Sequence, residues 1–222
     1  MAELISRFAA LPAYGLGAVV VLLLYAIQSE VRFGARARTS RPGPADRHST
    51  LLVSMSAAIS ILGFALAMKA NSPDLSWLPQ GFREAALPGM PLVAWLGVGL
   101  GIAGIALRLW AVLTLRERYT RTLLVQQEHA VETRGPYRWV RHPGYLGSLL
   151  CLNGIALASG NSIVLAASLL ATSAAYRYRI KVEEDMLAGS LGNDYADYRR
   201  RVGALIPRFG IGRGSAGTGP RD

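Results

Sequence analysis

The chain has 222 residues, of which 51% are hydrophobic, with 24 Lys and Arg against 14 Asp and Glu, and a single cysteine. One cysteine excludes a disulfide framework, a CxxC redox pair and a cysteine-built zinc site, and no metal centre is expected. The net charge of +10 would fit nucleic acid if taken alone, but the cations are spaced between apolar blocks, which argues against that class of partner.

In chain order, four stretches carry no charge: 8–29, 49–68, 85–107 and 143–176. Each of the first three reaches the roughly 20 residues that a helix needs to cross the ~30 Å hydrocarbon core. The first is not read as a signal peptide, because Glu3 accompanies Arg7 and no small-residue cleavage site follows before Glu30. The fourth is too long for one span, and the Ser-Gly-Asn-Ser run at 159–162 divides it into a hairpin of two short ones. The expected fold is therefore an all-α integral membrane protein with five transmembrane helices.

The loops between these stretches set an orientation. In the first loop Arg32, Arg36, Arg38, Arg41 and Arg47 outnumber the acids Glu30 and Asp46, whereas in the second Lys69 and Arg83 stand against Asp74 and Glu84. Arginine then dominates 114–142 and the C-terminal tail. This alternation is the positive-inside pattern, and it places the N-terminus outside and the basic segments in the cytoplasm, with some attraction to anionic membrane lipids. Three units are expected: N-terminal spans in 1–90, a core in 91–209, and a Gly-rich disordered tail in 210–222.

Gly99, Gly101 and Gly104 spell GxGxxG inside the third stretch. A dinucleotide fingerprint needs a preceding strand, which is missing here. Close helix packing through the pair Gly97 and Gly101 explains these glycines better.

Polar chemistry collects in two cytoplasmic segments. The first ends in 135–147, Gly-Pro-Tyr-Arg-Trp-Val-Arg-His-Pro-Gly-Tyr-Leu-Gly, where the chain re-enters the bilayer. Pro143 suits the first turn of a helix, so His142 is held beside free backbone N–H groups that favour an anion. Arginines and aromatics here also suit interfacial anchoring, but two glycines and two prolines that fix the backbone favour a site. In the second segment, Arg179 and Glu183 lie one helical turn apart. Their order is the poorer one for a surface ion pair. Glu184 follows Glu183 with nothing gained from adjacency, so a site holding charged reactants is the better reading.

With these two segments in place, residues 92–209 resemble the isoprenylcysteine carboxyl methyltransferase family of integral membrane enzymes. The resemblance rests on GPYR, RHPxYxG, RxxxEE and the closing Y-x-x-Y-x-x-R-V. It implies S-adenosylmethionine as cofactor, bound without a Rossmann fold at a cytoplasmic site built by the segment before span four and the helix after span five. Carried over residue by residue, it implies cofactor contacts at Thr122, His129, Ala130, Val131, Tyr137, Arg141, His142, Pro143, Gly144, Tyr145 and Glu183. It gives Arg179 to the methyl acceptor and makes Arg179 and Glu183 the catalytic pair. One departure is that Ala130-Val131-Glu132 stands where the family continues with Leu-Val after its histidine.

The activity so implied is carboxyl O-methylation of a lipophilic, isoprenylcysteine-like acceptor that enters from the bilayer. Phospholipid N-methyltransferases and NADPH-dependent membrane sterol reductases share versions of RHPxY and are the alternatives. The acceptor, its reacting atom and the oligomeric state are left open by the residues.

Overall fold

The computed structural model describes residues 13–31, 46–70, 76–89, 92–115 and 131–208. Helices dominate: α1 (Ala13–Val31), α2 (Ser49–Lys69), α3 (Leu92–Leu115), α4 (Pro143–Ala158) and α5 (Ser162–Arg201). A one-turn helix at Gln80–Arg83 and a 3₁₀ turn at Gly135–Arg138 complete them. Among the described residues, α2 and α3 are long and apolar enough to cross a membrane, while Gly15–Ala26 and Pro143–Ala158 are shorter apolar helices. Leu62 of α2 and Leu170 of α5 are 62% and 73% exposed, which fits a bundle whose outer surface meets lipid rather than water.

The bundle is drawn together at a seam between α3 and α4. A Cβ on Gly97 would stand 2.6 Å from the Gly154 carbonyl oxygen, and one on Gly104 would stand 2.5 Å from that of Gly147. The two contacts pair ascending with descending numbers, so the helices run antiparallel with backbones touching. The expected small-residue packing through Gly97 and Gly101 is therefore present within the chain, since a Cβ on Gly154 would stand 2.6 Å from the Gly97 carbonyl oxygen and 2.7 Å from the Gly101 nitrogen, and Gly104 extends the seam. Gly101 closes on Val21 of α1 as well. Ala18, Val21, Phe64, Val98, Cys151 and Ile155 form the apolar centre beside this seam.

Interhelical hydrogen bonds fix α2 and α5 on the other side. Ser60 and Ser168 hydroxyls lie 2.7 Å apart, and Ser168 in turn donates to Asn153 of α4 at 2.9 Å. Within apolar surroundings such bonds are the favourable way to bury a hydroxyl.

The turn at 159–162 makes the expected hairpin. Asn161 caps α5, its Oδ1 accepting from the Ile163 and Val164 N–H groups at 3.0 and 3.1 Å. α5 then runs for 40 residues, with a break at Gly192, whose φ of 54° and ψ of −127° leave the helical region. Gly189, three residues earlier, stays helical. Beyond the break, Tyr195, Tyr198 and Val202 form a second apolar cluster with Val131, Leu187 and Leu191. The tail at 210–222 lies outside the described residues.

Candidate active site

The segment before α4 is held from both ends. Gly135 adopts φ 55° and sits against Thr114 at the end of α3, where any Cβ would come within 2.7 Å of its Oγ1. Farther on, the Arg141 and His142 N–H groups donate to the Gly203 and Ala204 carbonyls at 2.8 and 3.1 Å. The chain beyond α5 thus clamps the residues that precede Pro143, which opens α4 as its composition requires.

Two consecutive glutamates of α5 face this segment with different results. Glu184 is buried and its Oε1 accepts from Arg141 Nε at 2.9 Å and Nη2 at 2.5 Å, and meets His142 Nε2 at 3.1 Å. Arg199 Nε stands 3.3 Å from its other oxygen. Arg141 also donates to the carbonyls of Arg199 and Val202. Burial opposes the charge on Glu184, but His142 and Arg141 outweigh it and bring the carboxyl down to about 2.

Glu183 Oε2 is buried and accepts no hydrogen bond. His142 Nδ1 lies 3.5 Å away, an ion-pair distance. Burial raises the proton affinity of this carboxyl, yet His142 above all, then Tyr145 and Arg179, hold it below its ordinary value. Burial likewise disfavours a charged His142, but a carboxylate at each ring nitrogen raises its pKa. The imidazole thus stands between the two glutamates, one at each ring nitrogen.

These groups open onto a cavity of about 500 Å³. Its polar end is made by Glu183, His142, Tyr145, Tyr137 and Arg179, and its apolar wall by Val53, Ala57, Ala58 and Ile61 of α2. Tyr145 stacks on His142 with ring centroids 5.5 Å apart and planes 6° off parallel. Tyr137 is buried, and its carbonyl accepts from the Tyr198 hydroxyl at 2.6 Å. Arg179 is buried too: its Nε donates to the Tyr145 hydroxyl at 3.1 Å, and its Nη1 meets Asp46 Oδ1 at 2.5 Å.

Of the residues the sequence singled out, Tyr137, Arg141, His142, Gly144, Tyr145, Arg179 and Glu183 all line this one cavity. Pro143 is buried in the first turn of α4. Val131 packs on the cluster of Tyr195, Tyr198 and Val202, while Thr122, His129 and Ala130 lie outside the described residues. Two further charged residues carry no motif: Arg108, which lines the cavity, and Asp46, which pairs with Arg179 behind it. Asp46 hides as the lone acid among arginines just before Ser49-Thr50, a helix-start pattern that was its only signal. Arg108 sits where the apolar run of α3 continues on both sides of it, and a cation inside such a helix is itself a sign of function. Its Nη1 donates to Ser148 Oγ at 2.7 Å, and its guanidinium lies 5.5 Å from the Tyr25 ring.

The cavity's donor set fits S-adenosylmethionine. An unsatisfied buried carboxylate oxygen at Glu183 suits a cationic centre, and aromatic faces at Tyr137 and Tyr145 suit a flat ring and a sulfonium.

Comparison with known proteins agrees with this chemistry. Residues 97–189 match the sequence profile of the isoprenylcysteine carboxyl methyltransferase (ICMT) family. A protein-S-isoprenylcysteine O-methyltransferase of Tribolium castaneum is 31% identical over 137 residues, 60% of this chain and 49% of the relative. The cobalt-zinc-cadmium resistance protein CzcN of Cupriavidus metallidurans is 33% identical over 129 residues, covering 58% and 54%. Protein-S-isoprenylcysteine O-methyltransferase B of Arabidopsis thaliana is 28% identical over 165 residues, covering 72% and 81%. The chain thus spans about half the length of the first two. The solved structure of the eukaryotic intramembrane Ras methyltransferase ICMT superposes with a TM-score of 0.64 at 23% identity, covering 86% of this chain and 65% of that one. The two chains accordingly share a fold.

Proposed function

We propose, for a chain whose residues 97–189 match the isoprenylcysteine carboxyl methyltransferase family, that the protein is a membrane-embedded methyltransferase. It transfers the methyl group of S-adenosylmethionine to the carboxylate of a lipophilic, isoprenylcysteine-like acceptor. The observation that carries this reading is the cavity, in which the Glu183–His142 end meets the apolar wall of α2. A water-soluble donor and an oil-soluble acceptor need such a junction.

Bound there, the cofactor supplies an activated methyl group on a sulfonium. Glu183 Oε2 holds the cationic end of the donor, and His142 keeps that carboxylate ionised and oriented. Tyr145 and Tyr137 supply aromatic faces, and Arg179 holds the acceptor's carboxylate end. A carboxylate acceptor is already ionised at pH 7 and needs no base, so alignment and exclusion of water do the work. An amine acceptor would need a group to take its proton. The site is poor in one, because the Glu183 and Asp46 carboxyls are held below their ordinary value and the flanking glutamates raise that of His142. This favours carboxylate over phospholipid amine.

The sterol-reductase alternative needs arginines gathered for a 2′-phosphate. Arg134 instead pairs with Glu132 at 2.9 Å, Arg138 covers the Trp139 ring at 4.2 Å, and Arg141 is spent on Glu184. In the bilayer, the reading places the N-terminus outside, five helices across the membrane, and the site at the cytoplasmic face where arginines gather. The His129 and Thr122 contacts belong to the same proposal.

Purified protein in lipid nanodiscs, given methyl-labelled S-adenosylmethionine and N-acetyl-S-farnesylcysteine, should form a base-labile methyl ester. S-adenosylhomocysteine should raise its Tm, and NADPH should not. Stabilisation by NADPH alone, without label transfer, would reverse the assignment.

A further inference from the structure

We propose that Asp46, which precedes the family-matched segment, is a positioning residue for the acceptor side of this site: it fixes the Arg179 guanidinium against the cavity, so that the N-terminal helices complete the active centre. The inference rests on the methyl-transfer reading of that cavity.

Asp46 is 2% exposed, a rare state for a carboxylate unless it is paired. Its Oδ1 accepts from Arg179 Nη1 at 2.5 Å, from Ser49 Oγ at 3.0 Å and from Thr50 Oγ1 at 2.8 Å. Its Oδ2 accepts from the Thr50 N–H at 3.1 Å, at the positive end of α2. Arg179 Nη1 also reaches Ser49 Oγ at 2.7 Å and Thr50 Oγ1 at 2.8 Å. On its other side, Arg179 Nε donates to Tyr145 of α4. One edge of the guanidinium is thus tied to the start of α2 and another to α4, with the cavity between them. A planar group fastened at two edges has lost its freedom to swing, which is the requirement for holding a carboxylate in line with a methyl group.

A capping role alone would need only an acceptor atom, which asparagine supplies as well as aspartate. The ion pair needs the charge. Asp46→Asn therefore separates the two roles.

The test measures methyl transfer to N-acetyl-S-farnesylcysteine and binding of S-adenosylhomocysteine for wild type, Asp46→Asn, Asp46→Glu, Arg179→Ala and the double variant Asp46→Asn/Arg179→Ala. Asp46→Asn should lower kcat/KM for the acceptor by about 10²-fold, with S-adenosylhomocysteine affinity unchanged. Asp46→Glu should recover part of the loss, and the double variant should be no worse than Arg179→Ala. Wild-type rates in Asp46→Asn overturn the proposal, as does an equal further loss in the Arg179→Ala background, which would mark a role in the fold alone. If Asp46→Asn does not fold, Asp46→Glu decides: unchanged acceptor kinetics overturn the proposal, and failure of both variants to fold does the same. A wild type that neither binds S-adenosylhomocysteine nor transfers label sinks the methyl-transfer reading itself, a result distinct from an active wild type with an indifferent Asp46.

Discussion

Glu183 and Glu184 are neighbours in sequence and face the same histidine, yet they belong to different regions of the molecule. Glu184 lies in a closed latch, with Arg141, His142 and Arg199 around it and the chain beyond α5 tied to the same arginine. Glu183 lies at the edge of an open chamber with one oxygen unsatisfied. Full satisfaction marks a carboxylate whose work is to hold the fold. A buried oxygen left without a donor costs stability, and a binding site is where such a cost is tolerated.

The largest expected effect tests the latch. Glu184→Ala leaves the Arg141 guanidinium buried and uncompensated, and should destabilise the protein by about 3–5 kcal/mol, seen as loss of folded yield or a steep fall in Tm. The comparison breaks if this variant folds normally. Glu183→Gln should behave in the opposite way, keeping a Tm close to wild type while methyl transfer drops on the order of 10²-fold. A large Tm loss there would move Glu183 into the latch.

Arg141→Lys should fall between these. Lysine cannot reproduce the two-pronged contact with Glu184 together with the carbonyl bonds, at a cost of about 1.5–3 kcal/mol in chemical denaturation.

A smaller effect follows from pH. The folded pKa of His142 is raised, so its stabilising contribution is complete below its unfolded value of about 6.5 and is lost as pH rises through the raised one. Glu184, held at about 2, contributes above the ordinary carboxyl range and loses that contribution as pH falls through about 2. Tm should therefore decline on the alkaline side, and His142→Asn should flatten that limb. The smallest effect belongs to Arg134→Ala, which removes a solvent-exposed guanidinium from its pair with Glu132 and should leave Tm and label transfer close to wild type.

Much of the site was legible in the sequence because its signals are local. Pro143 after His142 writes a helix start, and the four-residue spacing of Arg179 and Glu183 puts both on one helix face. The side chains these motifs named do share a cavity. Asp46 was not legible, because its partner Arg179 lies 133 positions away and only the packing of α2 beside α5 brings them together. Arg108 escaped for a related reason: the uncharged stretch stops at Leu107, whereas α3 continues to Leu115. The division of labour between Glu183 and Glu184 was equally hidden, since two identical residues in adjacent positions differ only in what surrounds them.

The sequence by itself determined the helical membrane class, the antiparallel hairpin at 159–162 and the chemistry collected around 135–147 and 177–184. Apolar runs, turn residues and proline act over a few positions, and their consequences can be read there. Tertiary structure decided that Gly97 pairs with Gly154 and Gly104 with Gly147, that His142 stands between two carboxylates, and that an acid ahead of α2 holds Arg179. Those outcomes depend on which helix faces meet, and contact across the bundle is a property of the packed whole that no local pattern encodes.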